Sequence, residues 1–396
     1  MEMHDMSTKH EISTLVNYST QLTSPHNQPH IPPTTMSPSP LATHLSVAIQ
    51  ALRADYVSGA RQLADKSLLH LKALVPLAAN DASTEEELWA SIVQCAKSLS
   101  EARPSMNAAI KSTLLYTLSN ASQSRSESQS QSTLSLSSLT ISSIDRTILE
   151  RGTSTFQTSQ NFTTWLRKTY PVPKISILTL SNSSSISSAL LQVLTTTEIW
   201  LKLIVLESRP RCEGADFVAT LLGRVSGECR AEAQGRLEIL VAPDCAVGSV
   251  MRDVDILLLG ADRIDSRGDV SNKIGSLAAA VCAKSSFVTG EKETKVVVLA
   301  EVDKICSWRR GSGEGEEGEK EIHATEEVMG AWGEKTRRET EGFGVGVFGE
   351  WFEWVPGDLV DLYITDRGVW GNGEVEGYGK EVGRLESMVF GGAELV

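Results

Sequence analysis

Two different spacings of apolar residues divide this chain. From Leu41 to about Leu118 they recur every three to four positions, as in Leu45, Ile49, Leu52 and Tyr56, then Leu63, Leu68, Leu71 and Leu74. That period puts them on one face of a helix, and the stretch reads as several packed helices. Asp81 to Glu87 supplies a helix start with acids in the first turn. In the second half the apolar residues fall instead into short β-branched runs at 175–180, 201–206, 237–241, 254–259 and 295–300. Helical stretches such as 186–194 and 214–222 separate them. Strands alternating with helices predict a parallel sheet covered on both faces. The expected fold class is therefore α/β, with an N-terminal helical subdomain at 41–168 and a Rossmann-like parallel-sheet domain at 169–396.

Three segments break these patterns. Residues 1–40 are rich in Ser, Thr, Pro and His with little apolar periodicity, and are expected to be a disordered tail. Residues 119–143 form a serine-rich, low-complexity tract, expected to be a flexible insertion before a weaker helix at 144–168. A Gly/Glu-rich segment at about 309–349 reads as an irregular acidic insertion, after which 351–369 returns to the sheet as a helix and a strand. No internal repeat is evident.

Composition narrows the function classes. At 396 residues the chain can bury two sizeable cores. Its net charge of −13 leaves no basic stripe to neutralise phosphates, so no direct nucleic-acid partner is expected. Much of that charge is local, because residues 313–327 hold seven glutamates against one lysine. The six cysteines are scattered without a CxxC pair, which fits a reducing compartment and neither a disulfide framework nor a zinc site. Cys245 and Cys282 lie on apolar stretches and are expected in the core. No apolar run reaches the ~20 residues of a membrane span. Glu2, Asp5 and Glu11 do not suit a secretory or mitochondrial signal. A cytoplasmic protein with no membrane contact, no metal and no cofactor is expected.

The candidate chemistry gathers where strands end, because ligands of parallel α/β sheets sit at the carboxyl ends of strands. Ile256 to Leu259 run straight into Gly260, Ala261 and Asp262, and then Gly268 precedes Asn272, Lys273, Ile274 and Gly275 at the mouth of an Ala-rich helix. Lys273 there suits an anionic group such as phosphate. After the first strand, Ser181, Asn182 and Ser183 offer hydroxyls and backbone amides, either to an anion or as an ordinary helix cap. Arg209, after the second strand, could clamp a phosphate or simply be solvated. Arg103, closing the helical subdomain, could reach across the domain boundary. Asp244, past the third strand, is a polar contact or a turn residue.

Taken together, the segments ARPSMNAAI (102–110), ISILTLSNSSSISSALLQVL (175–194), LIVLESRPRCEG (203–214), the stretch 239–284 containing GADRI and NKIG, and WVPGDLVDLYITDRGV (354–369) carry a resemblance. The chain resembles the family of the alpha, beta and delta subunits of eukaryotic translation initiation factor 2B, which also includes methylthioribose-1-phosphate isomerase and ribose-1,5-bisphosphate isomerase. The resemblance implies a helical domain joined to a Rossmann-like domain, a phosphorylated sugar or nucleotide-like ligand between them, and dimers of like or related subunits. It places Asp262 at the acid that shares proton transfer in the isomerases. It places Arg103, Arg209, Asn272, Lys273, Asn182 and Ser183 near the ligand.

Two departures accompany it. Ser181 stands where the isomerases carry a catalytic cysteine, and a serine hydroxyl needs an adjacent base to do a thiolate's work. Ser58, Gly59 and Ala60 stand where isomerases tend to carry Arg-Gly-Ala, so a phosphate-binding arginine is expected to be lost. Regulatory subunits, for their part, tend to carry Glu where this chain has Asp262. The expected function is a regulatory initiation-factor-2B-like subunit that binds a phosphorylated ligand, with a translation initiation factor 2 complex as an expected partner. The alternative is an aldose–ketose isomerase using Asp262 and Ser181.

Overall fold

The computed structural model describes residues 38–127, 132–310 and 320–391. The expected tail at 1–40 falls almost wholly outside the described residues, and helix α1 begins at Pro40. From Ser39 onward the chain forms one compact unit.

The first half is helical: α1 (Pro40–Arg53), α2 (Ala60–Asp81), α3 (Glu85–Ser100), α4 (Asn107–Glu127) and α5 (Thr133–Thr169). The α3 start falls where the acids predict it. Thr84 accepts from the Glu87 N–H at 3.2 Å while the Glu87 carboxylate accepts from the Thr84 N–H, a reciprocal cap. Leu63, Leu68, Leu71, Leu88, Ile92, Leu99, Ile110 and Leu114 are fully buried in one core between these helices.

The serine tract is not a flexible insertion. Outside residues 128–131 it is helical, in the end of α4 and the start of α5. Leu136 in the tract and Ile144 just past it keep a helical spacing, and both are buried. Hydroxyls here are satisfied inside α5: Thr140 in the tract and Thr147 beyond it donate to the carbonyls of Leu136 and Ser143, at 2.8 and 3.0 Å. Thr117 of α4 meets Thr147 of α5 at 3.1 Å. Small residues with self-bonded hydroxyls let the two helices pack closely, which composition alone does not reveal.

The second half alternates as expected: β1 (Lys174–Leu180), α6 (Ser184–Thr196), β2 (Trp200–Leu206), α7 (Glu213–Glu228), α8 (Arg230–Ala233), β3 (Leu237–Ala242), α9 (Val247–Val250) and β4 (Ile256–Leu259). Then come β5 (Arg263–Ile264), β6 (Val270–Lys273), α10 (Ser276–Lys284), α11 (Ser286–Thr289) and β7 (Lys295–Leu299). The chain closes with α12 (Thr325–Met329), α13 (Glu334–Gly342), β8 (Phe352–Val355), β9 (Leu362–Thr365), β10 (Gly368–Trp370) and α14 (Asn372–Phe390). The segment 351–369 thus holds three strands and a single 3-10 turn, and the long helix comes after it. The acidic insertion, outside the undescribed 311–319, contains the two helices α12 and α13.

Seven strands form one sheet in the order β10-β9-β7-β4-β1-β2-β3, parallel except for β10. β5, β6 and β8 form a small antiparallel sheet. Asn272 and Lys273 therefore lie at the end of strand β6, just before α10. Apolar layers cover both faces of the main sheet, and α5 connects them to the helices through Phe162 and Leu166. α14 returns to the other end of the molecule, placing Val382 and Val389 in the helical core.

Leu136→Ala should lower the stability of the full chain by about 2–5 kcal/mol, read from urea denaturation, because it opens a cavity in a packed helix interface. A change within about 0.5 kcal/mol, typical of a surface position, would return the serine tract to the status of a tolerant insertion.

Candidate functional site

The strand order reverses between β1 and β4: from β1 the chain moves outward to β2 and β3, then crosses back to β4 on the other side. At such a switch point the loops after the two strands part and leave a crevice at their carboxyl ends. Here the crevice is a cavity of about 200 Å³. Its walls come from the turn after β1 (Ser181 to Ser185), the turn after β4 (Gly260 to Asp262), Asn272 of β6, Lys304 beyond β7, and the start of α2 (Gly59 to Gln62).

Each wall has a local cause. Ser181 adopts a left-handed backbone, φ 66°, and its N–H donates to the Ser208 hydroxyl at 2.7 Å. Ser183 caps α6, accepting from the Ile186 N–H at 3.3 Å, so the helix opens its amide-rich end toward the cavity. The first residues of α2, beginning at the Gly59 cap, present a second helix N-terminus to the same space. Asn272 is buried, and its amide donates to the Ser276 hydroxyl at 2.9 Å.

Burial drives the Asp262 carboxyl upward from its ordinary 3.8; Lys304, Lys273 and Arg263 oppose that rise, and the charge of Glu321 adds to it. Glu301, directly after β7, behaves in the opposite way. Burial pushes its carboxyl up, but Lys304, the Ser185 hydroxyl and Arg61 outweigh that and hold it at about 2. Its Oε1 accepts from Ser185 at 2.8 Å and from Thr155 of α5 at 3.1 Å, and Lys304 lies 3.6 Å from its Oε2.

Of the residues predicted from sequence, Ser181, Asn182, Ser183, Asp262 and Asn272 come together on this cavity, and Arg103, Arg209 and Lys273 do not line it. Arg103 is buried and bound to Glu321. Lys273 is buried, bonded to Glu213 at 2.7 Å, with its ammonium 4.5 Å from the Trp351 ring centre. The backbone N–H groups of Ser208 and Arg209 both donate to Asp244, at 2.8 and 2.7 Å, so Asp244 braces a turn. Cys282 is half-buried and Cys245 is exposed, not in the core, because the segment around Cys245 lies beside the open edge of β3.

The cavity's two cations were missed. Arg61 sits three residues past Ser58, as the second residue of α2, and supplies a guanidinium although Ser58 stands at the expected arginine position. It donates to the Thr155 hydroxyl and to the Arg151 carbonyl at 2.8 Å, and its buried Nε has no acceptor. Lys304 follows the strand-end Glu301 by three residues, and the strand-end rule that picked out Asp262 applies equally to β7. Buried donors of this kind, beside two helix N-termini, suit an anionic group.

The family profile described as the initiation factor 2 subunit family matches residues 57–372. The chain belongs to this family. Among curated family members, the methylthioribose-1-phosphate isomerase of Xylella fastidiosa is 30% identical over 165 residues, 41% of this chain and 40% of that protein. The enzyme of the same name from Rhodopirellula baltica is 32% identical over 169 residues, 41% of each. The chain thus matches well under half the length of these relatives. Solved structures share the fold: the tetrameric eIF2B-beta2-delta2 complex from C. thermophilum (17% identity, TM-score 0.62, 86% of this chain and 95% of that one) and the 5-methylthioribose 1-phosphate isomerase from Pyrococcus horikoshii (21%, TM-score 0.54, 86% and 88%). No described helix is long and apolar enough to cross a membrane.

Two titrations check the site. Lys304→Met removes the largest influence holding the Asp262 carboxyl down, so its midpoint, followed by carboxyl-carbon NMR, should move further up; an unmoved midpoint would mean that the ammonium does not face it. An unfolded glutamate takes its proton near 4.5 and folded Glu301 near 2. The Glu301 network therefore stabilises the fold above pH 4.5 and loses that contribution as pH falls toward 2. Glu301→Gln should flatten this part of the stability–pH curve.

Proposed function

We propose that this family member binds a phosphorylated sugar in the Ser181–Asp262 cavity and acts as a regulatory subunit. The observation that carries the reading is the lining of the cavity: two cations, two helix N-termini and an unpaired buried guanidinium N–H surround a space that also offers hydroxyl, amide and carboxyl groups. A phosphate at the cationic end and sugar hydroxyls against Ser181, Asn182, Asn272 and Asp262 satisfy those groups. The absence of a partner base supports binding without turnover, since among the described residues no histidine, lysine or carboxylate is hydrogen-bonded to the Ser181 hydroxyl. Pairing with a like or related subunit, in a complex that engages initiation factor 2, belongs to the same reading. Leu240 and Val241 on the edge strand β3, and Val281 on α10 and Phe287 on α11, expose apolar side chains suited to such a partner.

One observation favours the isomerase reading instead. Asp262 faces the same cavity as Ser181, and burial raises its proton affinity, which suits an acid that donates and recovers a proton while an aldose becomes a ketose.

The test is incubation of the full chain with methylthioribose 1-phosphate and, separately, ribose 1,5-bisphosphate, followed by phosphorus NMR and titration calorimetry. Binding without ketose product is expected. Arg61→Ala and Lys304→Ala should each weaken it at least tenfold, since a charge-assisted hydrogen bond contributes about 1.5–3 kcal/mol. Product formation that disappears in Asp262→Asn would establish the isomerase. Absence of binding to either sugar would sink both readings.

A further inference from the structure

Three cations around Trp351 and Tyr56, outside the lining of the cavity, are each already held by a carboxylate of the same chain. Arg103 is gripped by Glu321 through Nε and Nη2 at 2.8 and 2.9 Å, and the Ser105 hydroxyl donates to the same carboxylate. Arg211 is gripped by Glu327 at 2.9 and 2.8 Å. Lys273 is bonded to Glu213. Glu321 and Glu327 come from residues 320–329, within the acidic insertion that the sequence sets apart.

Backbone, ring and ionic contacts hold that segment, including a bridge between Ile322 and Glu350 and an ion pair of Lys320 with Glu350. The Trp351 N–H donates to the Glu321 carbonyl at 2.9 Å, and the His323 N–H to the Gly349 carbonyl at 2.7 Å. The His323 ring stacks on Trp351, centres 4.1 Å apart and planes 10° from parallel, and its Nδ1 meets Glu327 at 2.8 Å. Met329 is buried beneath, while Ile322 and Glu326 are exposed. Burial pushes the Glu321 carboxyl up, but its bonds to Arg103 and Ser105 and the charge of Lys273 outweigh that, so it stays ionised. Its charge also reaches Asp262. A planar anion held by both arms of a buried guanidinium and a serine hydroxyl is the geometry in which Arg binds phosphate.

We propose that Glu321 is a built-in competitor for the ligand's anionic group: residues 320–329 form an autoinhibitory strap whose carboxylate fills the Arg103–Ser105 position until a phosphate displaces it. The proposal rests on the reading that the cavity takes a phosphorylated sugar. The strap multiplies apparent affinity by the fraction of molecules in which it is released, so ligand binding and strap release are one linked equilibrium.

The probe is ribose 1,5-bisphosphate, titrated calorimetrically into the full chain. Glu321→Gln should bind it at least tenfold more tightly than the unaltered chain, and adding Arg103→Ala should reverse the gain. Glu326→Gln removes the same charge from an exposed position in the same segment and should leave affinity unchanged. Hydrogen exchange on the unaltered chain needs no variant to fold: amides of 320–329 should lose protection when ligand is added. Equal affinities for Glu321→Gln and the unaltered chain, or unchanged protection in 320–329, overturn the strap. If in that case Lys304→Ala still abolishes binding, the cavity reading stands alone. Absence of binding by both the unaltered chain and Glu321→Gln overturns the two together.

Discussion

A buried carboxylate stays charged in a folded chain only if donors surround it, and Glu301 makes that requirement the joint between the two halves of this molecule. Its partners come from three places: Ser185 on the first turn of α6, Thr155 in the middle of α5, and Lys304 just beyond its own strand. The same side chain therefore fixes the helical layer against the sheet, sets the entry of α6, and holds in place the lysine that faces Asp262. Truncating one partner of such a cluster leaves the charge uncompensated, so the cluster is far more costly to break than to keep. The position of the cavity follows from it.

The sheet supplies the second constraint. Because the strand order reverses at β1 and β4, Ser181 and Asp262 are separated by eighty residues of chain yet line one space. The fold thus brings a hydroxyl, a carboxyl and two helix N-termini together with no metal-type cluster of ligating side chains among the described residues. Within that geometry this chain carries a hydroxyl oxygen at Ser181 and a guanidinium at Arg61, the second residue of α2.

Most of the sheet was legible in the sequence because a strand buried on both faces is a continuous apolar run, and such runs admit few other readings. Asp262 was legible for the same reason, as the first polar side chain after one of them. The helical parts of the serine tract on either side of residues 128–131 were not, because a hydroxyl such as that of Thr140, bonded to its own i−4 carbonyl, is buried in fact and polar only in name. Arg61 and Lys304 stayed hidden since each is one cation among many, and only the crossing of α2 and β7 at the cavity singles them out. Arg103 and Lys273 failed differently: both are buried cations near the site, but their carboxylate partners lie 218 and 60 residues away in sequence. No local pattern announces such a pairing.

The return of α14 to the helical layer has a consequence for how the protein is made. Val382 and Val389 sit in the same core as Leu52, Leu71 and Leu99. Helices α3 and α4 therefore emerge from the ribosome long before α14, at 372–390, which packs on them. During that interval their apolar faces are exposed, and long-range closure of this kind is slow. The nascent helical layer is a client for chaperones that shield hydrophobic surface, and it remains one until residues 372–390 have been synthesised.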